Sequence, residues 1–394
     1  MTGVSRTERG GGRDVPQASE RLLYMKPTSS VIDGLVAVGD QFHPVLVQFG
    51  HTILSIQPHD TARKDRFIIP GFIDAHVHGG DGADVMDGAD AVEQVAAFHL
   101  RHGTTTLLPT TVTAPVEKLL AAFTGIGDAR RRDDGARANI PGVHLEGPFI
   151  NPDKLGAQPP FAIAPDLELV GELFGRATII VATIAPEIDP GHKLMSELCR
   201  RGTRVQIGHS LADCATCRAA LLAGAAGFTH LFNAMSGVDH RRPGVAAAAL
   251  AYADHAEIVA DLLHVAPDAI RMARRAIPGL YAVTDAMAAA GCPAGEYKLG
   301  SHYVVSDGTS ARLADGTLAG SLLTMDRAFA NLLHLGLPLA EASRRTSTIA
   351  ADYLGLADRG RIAPGQRADL LVVDAAGKIQ EIYLAGSPIS PAMR

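Results

Sequence analysis

The sequence predicts an α/β fold: a TIM-like (β/α)8 barrel with a small β-sandwich domain formed from both chain ends. Two observations support this prediction. From residue 67 onward, short apolar runs alternate with longer segments of helical periodicity, which is typical of βαβ units and a parallel sheet. Eight such runs occur within about 220 residues, the length expected of a TIM barrel.

The two chain ends are expected to lie outside the barrel. Residues 1–20 are polar and glycine-rich and are predicted to form a flexible tail. Residues 21–66 contain short β-like runs broken by glycine and aspartate, without helical periodicity. Residues 356–394 return to β-like runs after the last predicted helix. We therefore expect residues 21–66 and 356–394 to pair in one small β domain.

The catalytic barrel is predicted over residues 67–355. The runs assigned to its eight strands are 66–78, 104–110, 140–146, 178–184, 204–209, 227–232, 257–261 and 280–285. Clear helical periodicity is found at 90–102, 115–132, 191–201, 325–335 and 339–354. A segment rich in glycine, aspartate and serine, around 291–320, is predicted to be a β-hairpin insertion.

Composition excludes several classes of function. With 36 basic and 42 acidic residues, the net charge is −6 and no dense basic block is present, so a nucleic-acid partner is not expected. No apolar run approaches 18 residues and residues 1–20 lack the layout of a secretory signal, so we expect no membrane partner and a cytoplasmic location. Four cysteines are too few for a disulfide framework, and Cys214 and Cys217 are predicted to be packing residues near a helix start.

Residues of the types that bind metals occupy five of the predicted strand ends. They are His76 and His78 on the first strand, Glu146 on the third, His209 on the fifth, His230 on the sixth and Asp285 on the eighth. Active sites of this fold lie at the C-terminal ends of the strands, whereas chance would scatter such residues over the whole fold. The mixture of imidazole and carboxylate predicts a site for Zn²⁺, Fe²⁺, Mn²⁺ or Co²⁺ rather than Ca²⁺ or Mg²⁺.

Six segments resemble a known family. They are PGFIDAHVHGG (70–80), HLEGPFI (144–150), IGHS (207–210), THLFNAM (229–235), TDAM (284–287) and AGSLLTMD (319–326). Together they resemble the N-acetylglucosamine-6-phosphate deacetylase family of the amidohydrolase superfamily. The resemblance implies a barrel of the metal-dependent amidohydrolase type, in a cytoplasmic homodimer, that converts N-acetylglucosamine 6-phosphate to glucosamine 6-phosphate and acetate.

The resemblance also implies the metal ligands. Glu146, His209 and His230 would hold one divalent ion, and His76 and His78, with Glu146 bridging, could hold a second. Some family members lack the histidine pair and work with a single metal, so one or two ions per chain are expected. A metal-activated water would attack the acetyl carbonyl.

The remaining site residues are assigned from the same family. Asp285 would be the general base and would then pass a proton to the departing amine, although a helix cap is the alternative reading of this position. Asn233 and Ala234 would meet the phosphate together with Arg241, which would reach over from the second subunit, with Arg242 as a competing choice. His264 would contact the sugar.

Two positions depart from the family pattern and keep other functions open. Gln158 stands where many members have a histidine near the acetyl oxygen, and Leu262 stands where the family usually has glycine. These departures leave room for another N-acetylhexosamine phosphate, such as the galactosamine epimer, or for an unphosphorylated N-acyl compound. A non-catalytic scaffold that has lost its metals is a third possibility, but all the ligand positions are filled.

Overall fold

Eight parallel strands form the barrel in the computed structural model of the chain, which describes residues 29–132 and 135–390. The barrel strands are β1 (Phe72–Val77), β2 (Thr104–Thr111), β3 (Val143–Glu146), β4 (Ile179–Ile184), β5 (Arg204–Ile207), β6 (Gly227–Phe228), β7 (His255–Val259) and β8 (Gly279–Val283). Strands β1 to β6 are hydrogen-bonded neighbours in order, and β7 pairs with β8. Hydrogen bonds from Leu231 N to Glu257 O (2.9 Å) and from His78 N to Ala286 O (2.8 Å) join the two sheets on either side. The predicted barrel is confirmed.

Most residues of the barrel strands are buried. Every residue of β1, β2 and β8 is buried, because side chains fill the barrel on one face and helices cover the other. Gly71 permits the close approach of β1 to β2: a Cβ atom at this position would lie 2.2 Å from the Thr105 hydroxyl oxygen. Continuous burial explains why these strands read as apolar runs in the sequence.

Within the described residues, ten α-helices surround the barrel. They are α1 (Ala89–Arg101), α2 (Val116–Arg131), α3 (Leu167–Phe174), α4 (Lys193–Arg200), α5 (Cys214–Leu222), α6 (Val245–Tyr252), α7 (Pro267–Ala276), α8 (Met325–His334), α9 (Leu339–Ser343) and α10 (Ile349–Leu354). A π-helical turn at Arg344–Thr348 joins α9 to α10, so the helix predicted over 339–354 is continuous but wider at its centre. Cys217 is fully buried in the first turns of α5, as expected of a packing residue. None of the helices within the described ranges is long and apolar enough to cross a membrane.

Strands from both ends of the chain form a separate seven-stranded sheet, as the sequence predicts. They are Ser30–Val38, Gln41–Phe49, Ile53–Pro58, Phe67–Pro70, Leu370–Val373, Ile379–Leu384 and Ser387–Ile389. The two ends meet where Leu371 pairs with Ile69 in an antiparallel register. The sheet has its own apolar core, which includes Val47, Phe49 and Leu370. The tail predicted at 1–20 lies outside the described residues, and the exact domain boundaries remain a prediction.

Short elements after the strands cover the C-terminal end of the barrel. Gly79–Gly80 and Ala83–Asp84 form a small hairpin directly after β1. Gly295–Leu299, His302–Ser306 and Ala311–Arg312 form a three-stranded antiparallel sheet within the segment predicted as an insertion. Short 3₁₀ turns lie at Val85–Asp87, Pro152–Lys154 and Pro186–Ile188. The insertion contributes Leu299 and Arg312 to the wall of the cavity described below.

Candidate metal centre and active site

The six predicted strand-end residues converge on one point at the C-terminal end of the barrel. The structure brings together His76, His78, Glu146, His209, His230 and Asp285, all of which are buried. Three of them have a positive φ angle, with values of 46° for His209, 27° for His230 and 51° for Asp285. Non-glycine residues rarely adopt this left-handed conformation, and it turns the chain sharply where each strand passes into its loop.

Glu146, His209 and His230 form the first group of ligand atoms. Glu146 Oε1 lies 3.1 Å from His209 Nε2 and 2.9 Å from His230 Nε2. The two Nε2 atoms are 3.0 Å apart. Three atoms that offer lone pairs thus face one small volume, an arrangement that suits a cation.

His76 and His78 form a second group that shares the same glutamate. Their Nε2 atoms lie 3.1 Å apart, so these two residues at the end of β1, two positions apart, project to one face as predicted. Glu146 Oε1 lies 3.6 Å from His76 Nε2, and its Oε2 lies 3.3 Å from His78 Nε2. The two oxygens of Glu146 therefore face both groups, as a bridging carboxylate would.

The outer nitrogens of two of these imidazoles are held as they are in metal-binding histidines, so the donor set fits a metal ion. His78 Nδ1 donates to Thr110 O at 2.8 Å, and His209 Nδ1 donates to Lys154 O at 3.1 Å. Because a carbonyl oxygen can only accept, the proton of each neutral ring lies on Nδ1 and the Nε2 lone pair points inward. Metal-ligating histidines are characteristically held in this way.

The charges of the side chains in the cluster also favour a bound cation. Burial alone would raise the pKa of Glu146, but the imidazoles of His76 and His209 outweigh it and hold this pKa well below its usual value. Burial would likewise lower the pKa of His78, yet the carboxylates of Asp285 and Glu146 raise it to about 9. The carboxylates thus attract positive charge into the barrel mouth, either as protons on the rings or as a bound cation.

Asp285 lies beside the histidine pair. Its Oδ1 is 3.3 Å from His78 Nε2, and its backbone N donates to His76 O at 2.9 Å. Burial would raise the pKa of Asp285, but a hydrogen bond from His78 and the charge of His76 lower it to about 2, so the group is a carboxylate. Thr284, the residue before Asp285, is held by Asp74, because the Asp74 carboxylate accepts hydrogen bonds from both N and Oγ1 of Thr284.

A cavity of about 370 Å³ lies above the cluster. Its wall includes four of the predicted substrate residues: Gln158, Asn233, Ala234 and His264. Arg241 does not reach it; this side chain lines a separate surface pocket with Arg242 and Arg218. Arg312, which sequence reasoning did not single out, supplies a guanidinium to the cavity wall.

The two departures from the family pattern have structural consequences. Gln158 Nε2 donates to Glu146 Oε2, and its Oε1 accepts from Thr113 N at 2.7 Å, so the amide steadies the shared glutamate. Leu262 has φ 68°, a conformation that glycine adopts without cost. Asp261 stabilises this turn by accepting from the backbone N of Leu263 (2.9 Å) and of His264 (2.8 Å).

Comparison with known proteins identifies the family. The model of the amidohydrolase family matches residues 67–391. The chain belongs to the amidohydrolase family. This amidohydrolase is 38% identical over 336 residues to an N-acetylgalactosamine-6-phosphate deacetylase from Escherichia coli O157:H7, covering 83% of this chain and 88% of the relative. It is 35% identical to the N-acetylglucosamine-6-phosphate deacetylase of Lysinibacillus sphaericus, covering 82% of this chain and 85% of the relative.

A solved structure supports the same relationship. A variant of N-acetyl-D-glucosamine-6-phosphate deacetylase from Mycobacterium smegmatis, in complex with N-acetyl-D-glucosamine-6-phosphate, is 32% identical to this amidohydrolase, with a TM-score of 0.84. The match covers 91% of this chain and 99% of that chain. The family resemblance drawn from the sequence motifs is confirmed.

Two buried acids of the amidohydrolase site were not predicted. Asp74 lies two residues before His76 on β1, and Glu257 lies within β7 with its Oε2 2.9 Å from His76 Nδ1. A charged residue inside an otherwise apolar run is the sequence signal that marks both. The side chains that they contact on other strands are far away in the sequence, so the signal identifies the two acids but not their partners.

Proposed function

We propose that this amidohydrolase hydrolyses the acetamido group of N-acetylglucosamine 6-phosphate to give glucosamine 6-phosphate and acetate. The observation that carries the proposal is the carboxylate of Asp285 beside the histidine pair and Glu146, at the floor of a 370 Å³ cavity. Relatives from several organisms bear the name of this activity.

The cation positions follow from the donor groups. Glu146, His209 and His230 would hold one divalent ion, and His76 and His78, with Glu146 bridging, a second. Zinc, iron, manganese and cobalt all suit this set of nitrogen and oxygen donors. When bound, such an ion polarises the acetyl carbonyl and lowers the pKa of water at the site.

Asp285 moves the protons of the reaction. It accepts one from the attacking water as the new C–O bond forms, and it delivers one to the nitrogen as the C–N bond breaks, so that a neutral amine departs. Its low pKa depends on the protonated rings of His76 and His78. A carboxylate at this position can accept a proton from water.

The sugar phosphate would be held by Asn233, Ala234, His264 and Gln158 in the cavity wall. Arg241 is exposed and lies outside the cavity of its own chain, so we propose that it serves the phosphate of a neighbouring chain in a homodimer. The cytoplasmic location remains a prediction from the sequence.

The C4 epimer is the second candidate substrate, because one relative at 38% identity is an N-acetylgalactosamine-6-phosphate deacetylase. Acetate release from both 6-phosphates at equal concentrations separates the candidates, with Asp285→Asn as the inactive control. We expect faster release from the glucosamine derivative. Faster release from the galactosamine derivative would favour the epimer, and release from neither would refute the proposed reaction.

A further inference from the structure

Glu257 is a fully buried carboxylate that the proposed reaction does not use. It lies in β7 and is 0% exposed. Its Oε2 lies 2.9 Å from His76 Nδ1 and accepts from His230 N at 3.2 Å. Its Oε1 accepts from the Tyr281 hydroxyl at 3.4 Å. Within the described ranges, no lysine or arginine forms an ion pair with it.

A buried carboxylate without such a partner needs positive charge nearby, because taking it out of water is costly. The Nδ1 atom of His76 lies 2.9 Å from the Glu257 carboxylate. A hydrogen bond at that atom directs the opposite nitrogen, Nε2, toward His78 and Glu146. This Nε2 lies 3.1 Å from His78 Nε2 and 3.6 Å from Glu146 Oε1. The charge that balances Glu257 is therefore expected either on the His76 ring itself or on a cation bound at Nε2, on the far side of that ring.

A chain of polar side chains limits movement around Glu257. Gln206 Nε2 donates to the Tyr281 hydroxyl (2.9 Å), and the Thr229 hydroxyl donates to Gln206 Oε1 (2.8 Å). The hydrogen bonds continue from Thr229 to the Thr183 hydroxyl and from there to His144 Nε2. The Nδ1 atom of His144 lies 3.1 Å from Ala75 O on β1. These groups come from most of the barrel strands and form a layer directly beneath the metal ligands.

We propose that Glu257 is a positioning residue that fixes the tautomer and orientation of His76 and thereby builds a second cation position between His76, His78 and Glu146. This inference rests on the proposed metal dependence. In this proposal Glu257 acts through His76 and does not itself bind the cation or the substrate. A carboxylate behind a metal-bound imidazole also makes that imidazole a stronger ligand.

Cobalt titration of the full-length protein, stripped of metal by a chelator, tests the proposal without substrate. The wild type is compared with Glu257→Gln, which keeps the shape but removes the charge, and with Tyr281→Phe, which removes one hydrogen bond to Glu257 and leaves His76 untouched. Calorimetry and the visible spectrum of Co²⁺ report each binding step. We expect two ions in the wild type and a second dissociation constant raised about 10- to 100-fold in Glu257→Gln. Tyr281→Phe should raise the dissociation constant of the second ion by a smaller factor.

A double-mutant cycle with His76→Gln separates positioning from general support. If Glu257 acts through His76, Glu257→Gln adds no further loss of the second ion in a His76→Gln background. Three results would each overturn the proposal. They are equal loss of both ions in Glu257→Gln, binding of two ions by Glu257→Gln with the affinities of the wild type, and binding of one ion only by the wild type. Because no sugar is present, this result is independent of whether the protein deacetylates the proposed substrate.

Discussion

Asp285 Oδ1 lies 3.3 Å from His78 Nε2, so the end of the last barrel strand meets the end of the first. Two backbone hydrogen bonds join the same segments, from Asp285 N to His76 O and from His78 N to Ala286 O. The spacing between Asp285 and the histidine pair is thus set by closure of the barrel. A site on rigid strand ends holds its geometry better than one on mobile loops.

Replacement of Asp285 by asparagine should remove turnover and leave the metal in place. The amide has nearly the same shape but cannot accept the proton of water, so we expect kcat to fall by about 100- to 10,000-fold. Steady-state kinetics and metal analysis of the same sample check this. Activity within tenfold of the wild type would remove Asp285 as the general base.

Replacement of Glu146 by glutamine should remove metal from both groups of ligands. Both oxygens of Glu146 face histidine nitrogens, and an amide cannot supply a shared negative charge. We expect much less than one ion per chain by elemental analysis, with activity not restored by added Zn²⁺ or Co²⁺. Wild-type metal content in this variant would contradict the bridging role.

The double variant His76→Gln and His78→Asn should retain one ion per chain. Glu146, His209 and His230 remain to hold it, with their donor atoms 2.9 to 3.1 Å apart. We expect kcat to fall at least about tenfold because Asp285 loses its neighbouring imidazole. Complete loss of metal would show that the two groups of ligands do not act separately.

Arg241→Ala should weaken the binding of N-acetylglucosamine 6-phosphate, and Arg242→Ala is the matched control. Loss of a charge-assisted contact of about 2 kcal/mol corresponds to an increase of about 30-fold in KM. A mixture of Arg241→Ala and Asp285→Asn chains tests contact between subunits, because a mixed dimer would contain one site with both residues intact. Recovery of activity on mixing is expected. No recovery, together with a normal KM for Arg241→Ala, would contradict the assignment.

The sequence was sufficient for the barrel and the strand-end residues because both depend on local patterns. Strand and helix periodicity lie within short windows, and His76 and His78 are brought together by their spacing alone. Contacts between distant strands were beyond this reasoning: Glu257 is 181 residues from His76, and Asp74 is 210 residues from Thr284.

Position 262 shows a different limit of sequence reasoning. A leucine in place of the usual family glycine suggests a changed pocket wall, but Leu262 takes the left-handed conformation at φ 68°. The carboxylate of Asp261 holds the turn by accepting from the two residues that follow Leu262. The conformation that glycine would allow is therefore retained, although left-handed backbone is unfavourable for leucine.

The ratio of kcat/KM for N-acetylglucosamine 6-phosphate to that for free N-acetylglucosamine, measured with metal-loaded protein, tests the central claim most directly. A cavity built for a phosphorylated sugar leaves polar groups unpaired when the phosphate is missing, so we predict a preference of about a hundredfold or more for the 6-phosphate. Equal values for the two compounds, or no acetate released from either, would contradict this account.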